Sequence, residues 1–208
     1  MALLANRRSI MTLYSDSIHP EHHSVRLVLA EKGINFDLQL VDPENKPEEL
    51  ADLNPFDEIL TLVDRDLVLY EPQLIMEYLD ERFPHPPLMP VDPVSRANNR
   101  LFRYRVQREL YEKVQLILHG SEKKAATARR KLKEELVGIA PIFQQKKFFM
   151  SEEYSLMDCY LVTILWRLPA WGIELPAAGK PVMEYAKRIF AREEFQASLT
   201  EFERGMSV

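Results

Sequence analysis

Residues 83–93 read FPHPPLMPVDP, and five of the fourteen prolines of this 208-residue chain lie in that one stretch. Proline has no backbone N–H, so a segment this rich in it forms neither a helix interior nor a central strand. We therefore place a domain boundary here. The sequence predicts a first domain over residues 1–86, a proline-rich linker over 87–93 and a second domain over 94–208.

On the N-terminal side of the linker, strand and helix patterns alternate. Short β-prone runs and amphipathic segments predict the order β-α-β-α-β-β-α. The predicted elements are a strand over 10–14, a helix from Ser24 to Lys32, a strand over 36–41, a short helix over 47–53, a hairpin of 59–63 with 67–70, and a helix that starts at Pro72.

On the C-terminal side, the strand patterns fade and long helical patterns replace them. They cover residues 94–118, 122–145 and 155–171, and Pro141 is expected to bend the second helix near its end. The third segment reads SLMDCYLVTILWRLPAW and is largely apolar over more than three turns. It is predicted to be the buried centre of an all-helical domain, with Ser155 and Asp158 forming a capping box at its start.

The composition favours a folded protein without a membrane-spanning segment. A hydrophobic content of 46% is enough to fill a core. No apolar run approaches the roughly 20 residues that span a bilayer. The apolar stretch in MALLANRRSI, at the start of the chain, is too short for a secretory signal. We expect a cytoplasmic protein with no membrane partner.

The cysteine and glycine content of the chain excludes several classes of functional site. The single cysteine, Cys159, excludes an internal disulfide and every Cys-x-x-Cys motif, and we expect it to be an inert buried thiol. The six glycines never fall within three residues of one another, so no dinucleotide-binding fingerprint or P-loop is present. No cofactor is expected.

Three segments give the chain a resemblance to a known family. Residues 26–33 (RLVLAEKG), 54–84 and 155–168 (SLMDCYLVTILWRL), in this order, resemble the cytosolic glutathione S-transferase fold. The resemblance implies an α/β thioredoxin-like N-terminal domain followed by an all-α C-terminal domain. Within that superfamily, residues 74–91, 148–161 and 164–176 most resemble the stringent starvation protein A family, whose members are bacterial regulators associated with RNA polymerase.

A transferase of this fold needs a hydroxyl or thiol near the end of the first strand to stabilise the glutathione thiolate. Tyr14, Ser15 and Ser17 are the hydroxyls close to that place, and His19 falls where cysteine-type members carry their nucleophile. Cys159 lies in the other domain. If the chain is an enzyme, Tyr14 and Ser15 are the residues expected to act on the thiol.

The rest of the glutathione-binding pattern is altered. Where the family has Asn-Pro-x-Gly-x-Val-Pro with a cis proline, this chain reads NPFDEIL, with Leu60 in the last position. A cis bond before a residue other than proline costs about 2.5–4 kcal/mol, so the Ile59–Leu60 bond is predicted to be trans. Glu71 keeps the family's acidic residue, but Pro72 replaces the serine that follows it. We expect a degenerate glutathione site and no enzymatic activity, with a glutathione-dependent transferase that has a remodelled thiol site as the alternative.

The proline-rich segment itself is a candidate binding surface. Its local sequence is compatible with a rigid linker that exposes a histidine, or with a surface that a partner recognises. The resemblance implies the second: Pro84, His85, Pro86 and Pro87 would contact the transcription machinery, either the sigma factor or the core of the RNA polymerase holoenzyme. It also implies a phage-encoded or other regulatory protein as a further partner. Asp92 departs from the family, which commonly has tyrosine there.

Charge is unevenly distributed along the chain. Residues 1–89 hold 7 Lys and Arg against 17 Asp and Glu, and the remainder holds 20 against 15. Residues 96–133 alone hold twelve basic and three acidic side chains. This segment is compatible with a solvated helix face, with contact to phosphates, or with pairing between oppositely charged domains of two subunits. Because the pI is about 5.6, we expect the protein to contact DNA only indirectly. Of the three possibilities we favour pairing between subunits, as a homodimer.

The segment from His19 to His23 holds three imidazoles and the carboxylate of Glu21. Histidine and glutamate are common metal ligands, but no fourth ligand can be identified from the spacing. We therefore expect an exposed polar helix start here and no metal site.

Overall fold

A computed structural model of the chain describes residues 10–206. Its first part holds a four-stranded sheet in the order β2-β1-β3-β4. Strands β1 and β2 are parallel, whereas β3 is antiparallel to both β1 and β4. The strands are β1 (Thr12–Ser15), β2 (Asp37–Leu40), β3 (Thr61–Asp64) and β4 (Leu67–Leu69).

Three helices complete this domain: α1 (Pro20–Glu31), α2 (Glu48–Leu53) and α3 (Pro72–Arg82). The predicted fold class and the order β-α-β-α-β-β-α are confirmed. Helix α1 begins at Pro20, four residues before the predicted start. Proline suits the first helical position because its missing N–H would have no helical partner there.

The second part is all helical. Its elements are α4 (Pro93–Val106), a π-helical turn (Gln107–Tyr111), α5 (Glu112–His119), α6 (Glu122–Gly138), α7 (Leu156–Arg167), α8 (Lys180–Phe190), α9 (Glu193–Ser198) and α10 (Glu201–Arg204), with short 3₁₀ turns at Ala140–Gln144 and Ala177–Gly179. Helix α4 starts at Pro93, which the sequence places in the linker. No helix within residues 10–206 is both long and apolar enough to cross a bilayer.

Two predicted helix ends are wrong. Helix α6 ends at Gly138 instead of continuing to residue 145, because the chain tightens into a 3₁₀ turn that contains Pro141. Helix α7 ends at Arg167 rather than at residue 171, shortly before Pro169. In both places proline ends the helix where the pattern predicted that the helix would bend or continue.

Helix α7 is the centre of the molecule, as predicted. All twelve of its residues are buried, including Cys159 and Trp166. The predicted capping box is present: Ser155 Oγ accepts the N–H of Met157 at 3.2 Å, and Asp158 Oδ2 accepts the N–H of Ser155 at 2.9 Å. The continuous apolar core reaches from the sheet through Leu88 and Met89 of the linker to α7 and α8.

A buried cluster of charged side chains joins helices α1, α7 and α10. Glu203, on α10, accepts hydrogen bonds from Arg26 of α1 at 2.5 and 2.6 Å and from Arg167 of α7. All three side chains are almost completely buried. Arg167 also donates to Nδ1 of His23 at 3.1 Å, and burial together with the two arginines lowers the pKa of this imidazole well below its usual value. His23 is therefore a neutral part of the core.

Removing the charge of Glu203 tests this cluster. Glu203→Gln leaves two buried guanidinium groups without a counter-charge, and breaking a buried pair in this way typically costs about 3–5 kcal/mol. We expect urea unfolding to show a loss of that size. Glu201→Gln is the matched control, since Glu201 is exposed on the same short helix and its change should cost little. A loss below about 1 kcal/mol for Glu203→Gln would contradict the structural role assigned here.

Candidate functional site

A cavity of about 500 Å³ opens where β1 meets α1, between the first domain and the helical domain. Leu60, Glu71 and Pro72 all line it, so the three residues expected to form a degenerate glutathione site lie together. Gln107 and Gln115 contribute the wall from the helical domain. The cavity therefore lies where the resemblance implies the degenerate glutathione site.

The two candidate thiol-activating residues do not line this cavity. Ser15 is fully buried, where its Oγ donates to the carbonyl of Asp16 at 3.1 Å and accepts a hydrogen bond from Arg26. The hydroxyl of Tyr14, which is 5% exposed, donates to Glu49 Oε1 at 2.7 Å. Both hydroxyls are engaged elsewhere, and neither is positioned to contact a thiol in the cavity.

The loop before β3 differs from a glutathione-binding loop. Among the described residues the one cis peptide bond joins His85 and Pro86, so the Ile59–Leu60 bond is trans, as predicted. Asn54 holds the loop through Nδ2, which donates to the carbonyl of Glu58 at 3.0 Å and to Thr61 Oγ1 at 3.2 Å. The side chain of Leu60 is buried in the wall.

Glu71 and Pro72, at the start of α3, offer no hydrogen-bond donor to a ligand. The carboxylate of Glu71 caps the helix by accepting the N–H of Leu74 at 2.7 Å. Pro72, at the first helical position, has neither an N–H nor a hydroxyl. The site therefore lacks the two hydrogen-bond donors that a serine at this position would supply to a carboxylate.

The charge of the cavity also opposes an anionic ligand. Of the described residues that line it, five carry carboxylates and Lys46 is the one lysine or arginine. Lys46 is paired with Asp57 at 2.7 Å. Burial raises the pKa of Glu21 to about 7; the nearby His19 lowers it, whereas the carboxylates of Glu71 and Glu58 raise it. Because glutathione has two carboxylates and one ammonium group, and thus a net negative charge, an acidic lining does not favour its binding.

The histidine segment is not the exposed polar helix start that we expected. His22 and His23 are buried, and His19 is half-buried. Asp16 Oδ1 accepts the N–H groups of Ile18 and His19, both at 2.9 Å, and Asp16 Oδ2 lies 2.6 Å from His19 Nδ1. Burial opposes ionisation of Asp16, but hydrogen bonds and charges of His19 and His22 outweigh it and hold the pKa of Asp16 well below its usual range.

The second candidate surface is the Pro84–Pro87 loop, in which all four side chains are exposed. A buried ion pair fastens the base of this loop. Lys32 Nζ donates to Asp80 Oδ1 at 2.6 Å and to the carbonyl of Pro86, and the same Asp80 oxygen accepts the N–H of Leu88 at 2.8 Å. This anchor could not be predicted from local patterns, because Lys32 and Asp80 are 48 residues apart.

Most of the basic segment is neutralised by neighbouring carboxylates. Within residues 96–133, all of which the structure describes, eight of the twelve basic side chains form ion pairs: Arg96, Arg100, Arg103, Arg105, Arg108, Lys113, Arg129 and Arg130. Asp92, the departure from the family, caps α4 by accepting the N–H of Ser95 at 2.7 Å. These contacts favour a structural role for much of the segment.

A group of exposed apolar side chains lies on the two helices at the domain boundary. Leu74 on α3 is 61% exposed, and Leu101 and Tyr104 on α4 are 52% and 56% exposed. Hydrogen bonds from Arg100 to Glu77 at 2.7–3.1 Å connect the two helices. Exposed apolar side chains on two adjacent helices are typical of a protein interface.

The comparisons with known proteins agree with this geometry. The models for the N-terminal and C-terminal domains of glutathione S-transferase match residues 22–82 and 75–193. The stringent starvation protein A homologue of Coxiella burnetii is 50% identical over 198 residues, which are 95% of each chain. That of Pasteurella multocida is 48% identical over 200 residues, 96% of this chain and 94% of the relative. The structure of rice GST1 in complex with glutathione superposes with a TM-score of 0.81 at 23% identity and covers 96% of both chains.

A glutathione-resin experiment tests the account of the cavity. Because its wall is acidic and Pro72 offers no donor, we expect the protein to pass through immobilised glutathione at physiological salt. A glutathione transferase of the same fold, loaded in parallel, provides the positive control. Specific retention that free glutathione elutes would contradict the roles given to Leu60, Glu71 and Pro72.

Proposed function

Because this chain belongs to the stringent starvation protein A family, within the glutathione S-transferase superfamily, we propose that it is a non-enzymatic transcription regulator that binds RNA polymerase. It acts in the cytoplasm, in the response to starvation or stress. Its partner is the RNA polymerase holoenzyme, through the sigma factor, the core or both. The observation that carries the proposal is the anchored, exposed loop of Pro84, His85, Pro86 and Pro87.

The loop is suited to a protein partner by its order and its chemistry. Lys32 and Asp80 fix its base, so little backbone entropy is lost when a partner binds. Three exposed pyrrolidine rings offer apolar contact, and His85 both donates and accepts hydrogen bonds. A rigid exposed loop with one versatile polar side chain favours recognition over catalysis.

The absence of enzymatic activity is the second part of the proposal. It is supported by the buried position of Ser15, by the bond from Tyr14 to Glu49 and by the acidic cavity. A glutathione-dependent transferase with a remodelled thiol site is the alternative. One observation favours this alternative: an open cavity lies beside Leu60, Glu71 and Pro72. The glutathione-resin experiment decides between the transferase and the protein without enzymatic activity.

The third part is assembly as a homodimer through α3 and α4. The exposed Leu74, Leu101 and Tyr104 supply apolar area. The acidic first domain of one subunit attracts the more basic second domain of the other. Since most basic side chains of residues 96–133 are already paired, DNA is contacted only indirectly, through the polymerase. A phage-encoded or other regulatory protein is a further partner.

Affinity capture from a bacterial lysate tests the partner and the loop together. We expect wild-type protein to retain RNA polymerase at physiological salt and His85→Ala to retain about tenfold less, a loss of about 1.4 kcal/mol. Gln145→Ala, an exposed polar change in the helical domain, is the control and should capture as well as wild type. Lys32→Met should also reduce capture, because it frees the loop without altering an exposed side chain.

The outcomes separate the two claims. If polymerase is retained by neither bait, the regulator proposal is overturned. If wild type and His85→Ala retain it equally, the partner stands and the loop is not the contact.

Sedimentation tests the dimer. Leu101→Arg places a charge among the exposed apolar side chains of α3 and α4, so we expect a monomer at concentrations where wild type has twice the 24.3 kDa chain mass. The control is Phe202→Arg, because the side chain of Phe202 is also exposed, at 61%, but lies on α10. A wild-type monomer, or a Leu101→Arg dimer of unchanged stability, would argue against this interface.

A further inference from the structure

Two histidines from different domains meet beside the cavity. His19, at the start of α1, and His119, the last residue of α5, are 100 residues apart in sequence, and their Nε2 atoms lie 2.9 Å apart. His119 is exposed and His19 is half-buried, so solvent reaches the pair. Asp16, His22 and Glu21 surround this contact.

The buried carboxylate of Asp16 fixes the orientation and the tautomer of His19. Asp16 Oδ2 lies 2.6 Å from Nδ1 of His19, so this nitrogen carries the hydrogen and donates it to the carboxylate. The Nε2 lone pair of His19 therefore faces His119 and accepts the hydrogen of His119 Nε2. Metal-binding histidines almost always donate their second N–H to a carboxylate or carbonyl in this way, which raises the basicity of the ligating nitrogen.

His22 completes the surroundings but is not available as a ligand. Its Nδ1 accepts the backbone N–H of Asp16 at 3.1 Å, so its hydrogen is on Nε2. The oxygens of Asp16 are likewise engaged by Ile18 and His19. Asp16, His19 and His22 hold ligand atoms within 4.8 Å of one another, but the contact that a metal ion can replace is the hydrogen bond between the Nε2 atoms of His19 and His119, with the hydrogen of His119 then on its Nδ1.

The environment of the pair favours a cation. Glu21 lines the same cavity as His19, and its Oε2 accepts from Gln115, one turn before His119, at 3.3 Å. Glu58 and Glu71 add negative charge to this cavity. Two imidazoles on tetrahedral zinc, at about 2.0–2.1 Å from the metal, have nitrogens about 3.3 Å apart. A separation of 2.9 Å needs only a small outward movement of the exposed His119 to reach that value.

We propose that Nε2 of His19 and Nε2 of His119 bind a divalent transition metal ion of the zinc type, with Asp16 orienting His19 and water completing the coordination. Imidazole nitrogen selects zinc, copper and nickel over magnesium and calcium. The bound ion joins the start of α1 to the end of α5, and so links the two domains at the mouth of the cavity. The inference does not depend on the polymerase partner.

Calorimetric titration of the untagged protein with zinc chloride tests the site. We expect one zinc ion per chain for wild type and an affinity at least about tenfold lower for His119→Gln. Glutamine keeps a hydrogen-bond donor toward His19 but is a poor zinc ligand, and residue 119 is exposed, so the variant should fold. His85→Ala is the matched control, because it removes an exposed histidine elsewhere and should bind zinc like wild type.

Thermal unfolding gives an independent readout. Zinc should raise the Tm of wild type and of His85→Ala but not that of His119→Gln, because only an ion bound to the folded state stabilises it. Magnesium at the same concentration should have no effect. Equal zinc affinity in wild type and His119→Gln, no zinc binding by wild type, or equal binding of magnesium would each overturn the proposal.

Discussion

The carboxylate of Glu203, held between Arg26 and Arg167, is the contact on which the rest of the structure depends. It ties the last helix to α1 and α7, and Arg26 extends the network to Ser15 Oγ and to the carbonyl of Asp16 at 2.7 Å. The end of β1 is thereby fixed from inside the core. A hydroxyl that would face a thiol in a transferase here serves as a hydrogen-bond partner for a buried arginine.

The same fold therefore presents two surfaces with opposite properties. The cavity is open but acidic. Helix α3, at its edge, begins with the carboxylate of Glu71, which is already used as a helix cap. The Pro84–Pro87 loop is exposed, and its base is held by a lysine with no exposed side-chain area. In the cavity, the residues expected to hold glutathione have structural roles instead. In the loop, buried structural groups hold exposed ones in position for a partner.

Local patterns predicted the fold, whereas long-range pairings decided the site. Proline positions, the capping box at Ser155 and the replacement at Leu60 act within a few residues, so the domain order and the trans bond could be predicted from the sequence. The partners Arg26 with Glu203, and His19 with His119, are 177 and 100 residues apart. No spacing rule connects such positions, and for this reason the inaccessibility of Ser15 and the contact of His119 with His19 were not predicted.

The linker residue Leu88 joins the two halves more closely than the prolines around it suggest. Its N–H is bound to Asp80 of α3, its carbonyl accepts the N–H of Leu156 at the start of α7 at 2.9 Å, and its side chain is buried in the shared core. The division seen in the sequence is thus not a division of the core: Leu88 is hydrogen-bonded to both halves and is buried in the apolar core that they share. A force applied at His85 would reach the first turn of α7 through Pro86, Pro87 and the backbone of Leu88.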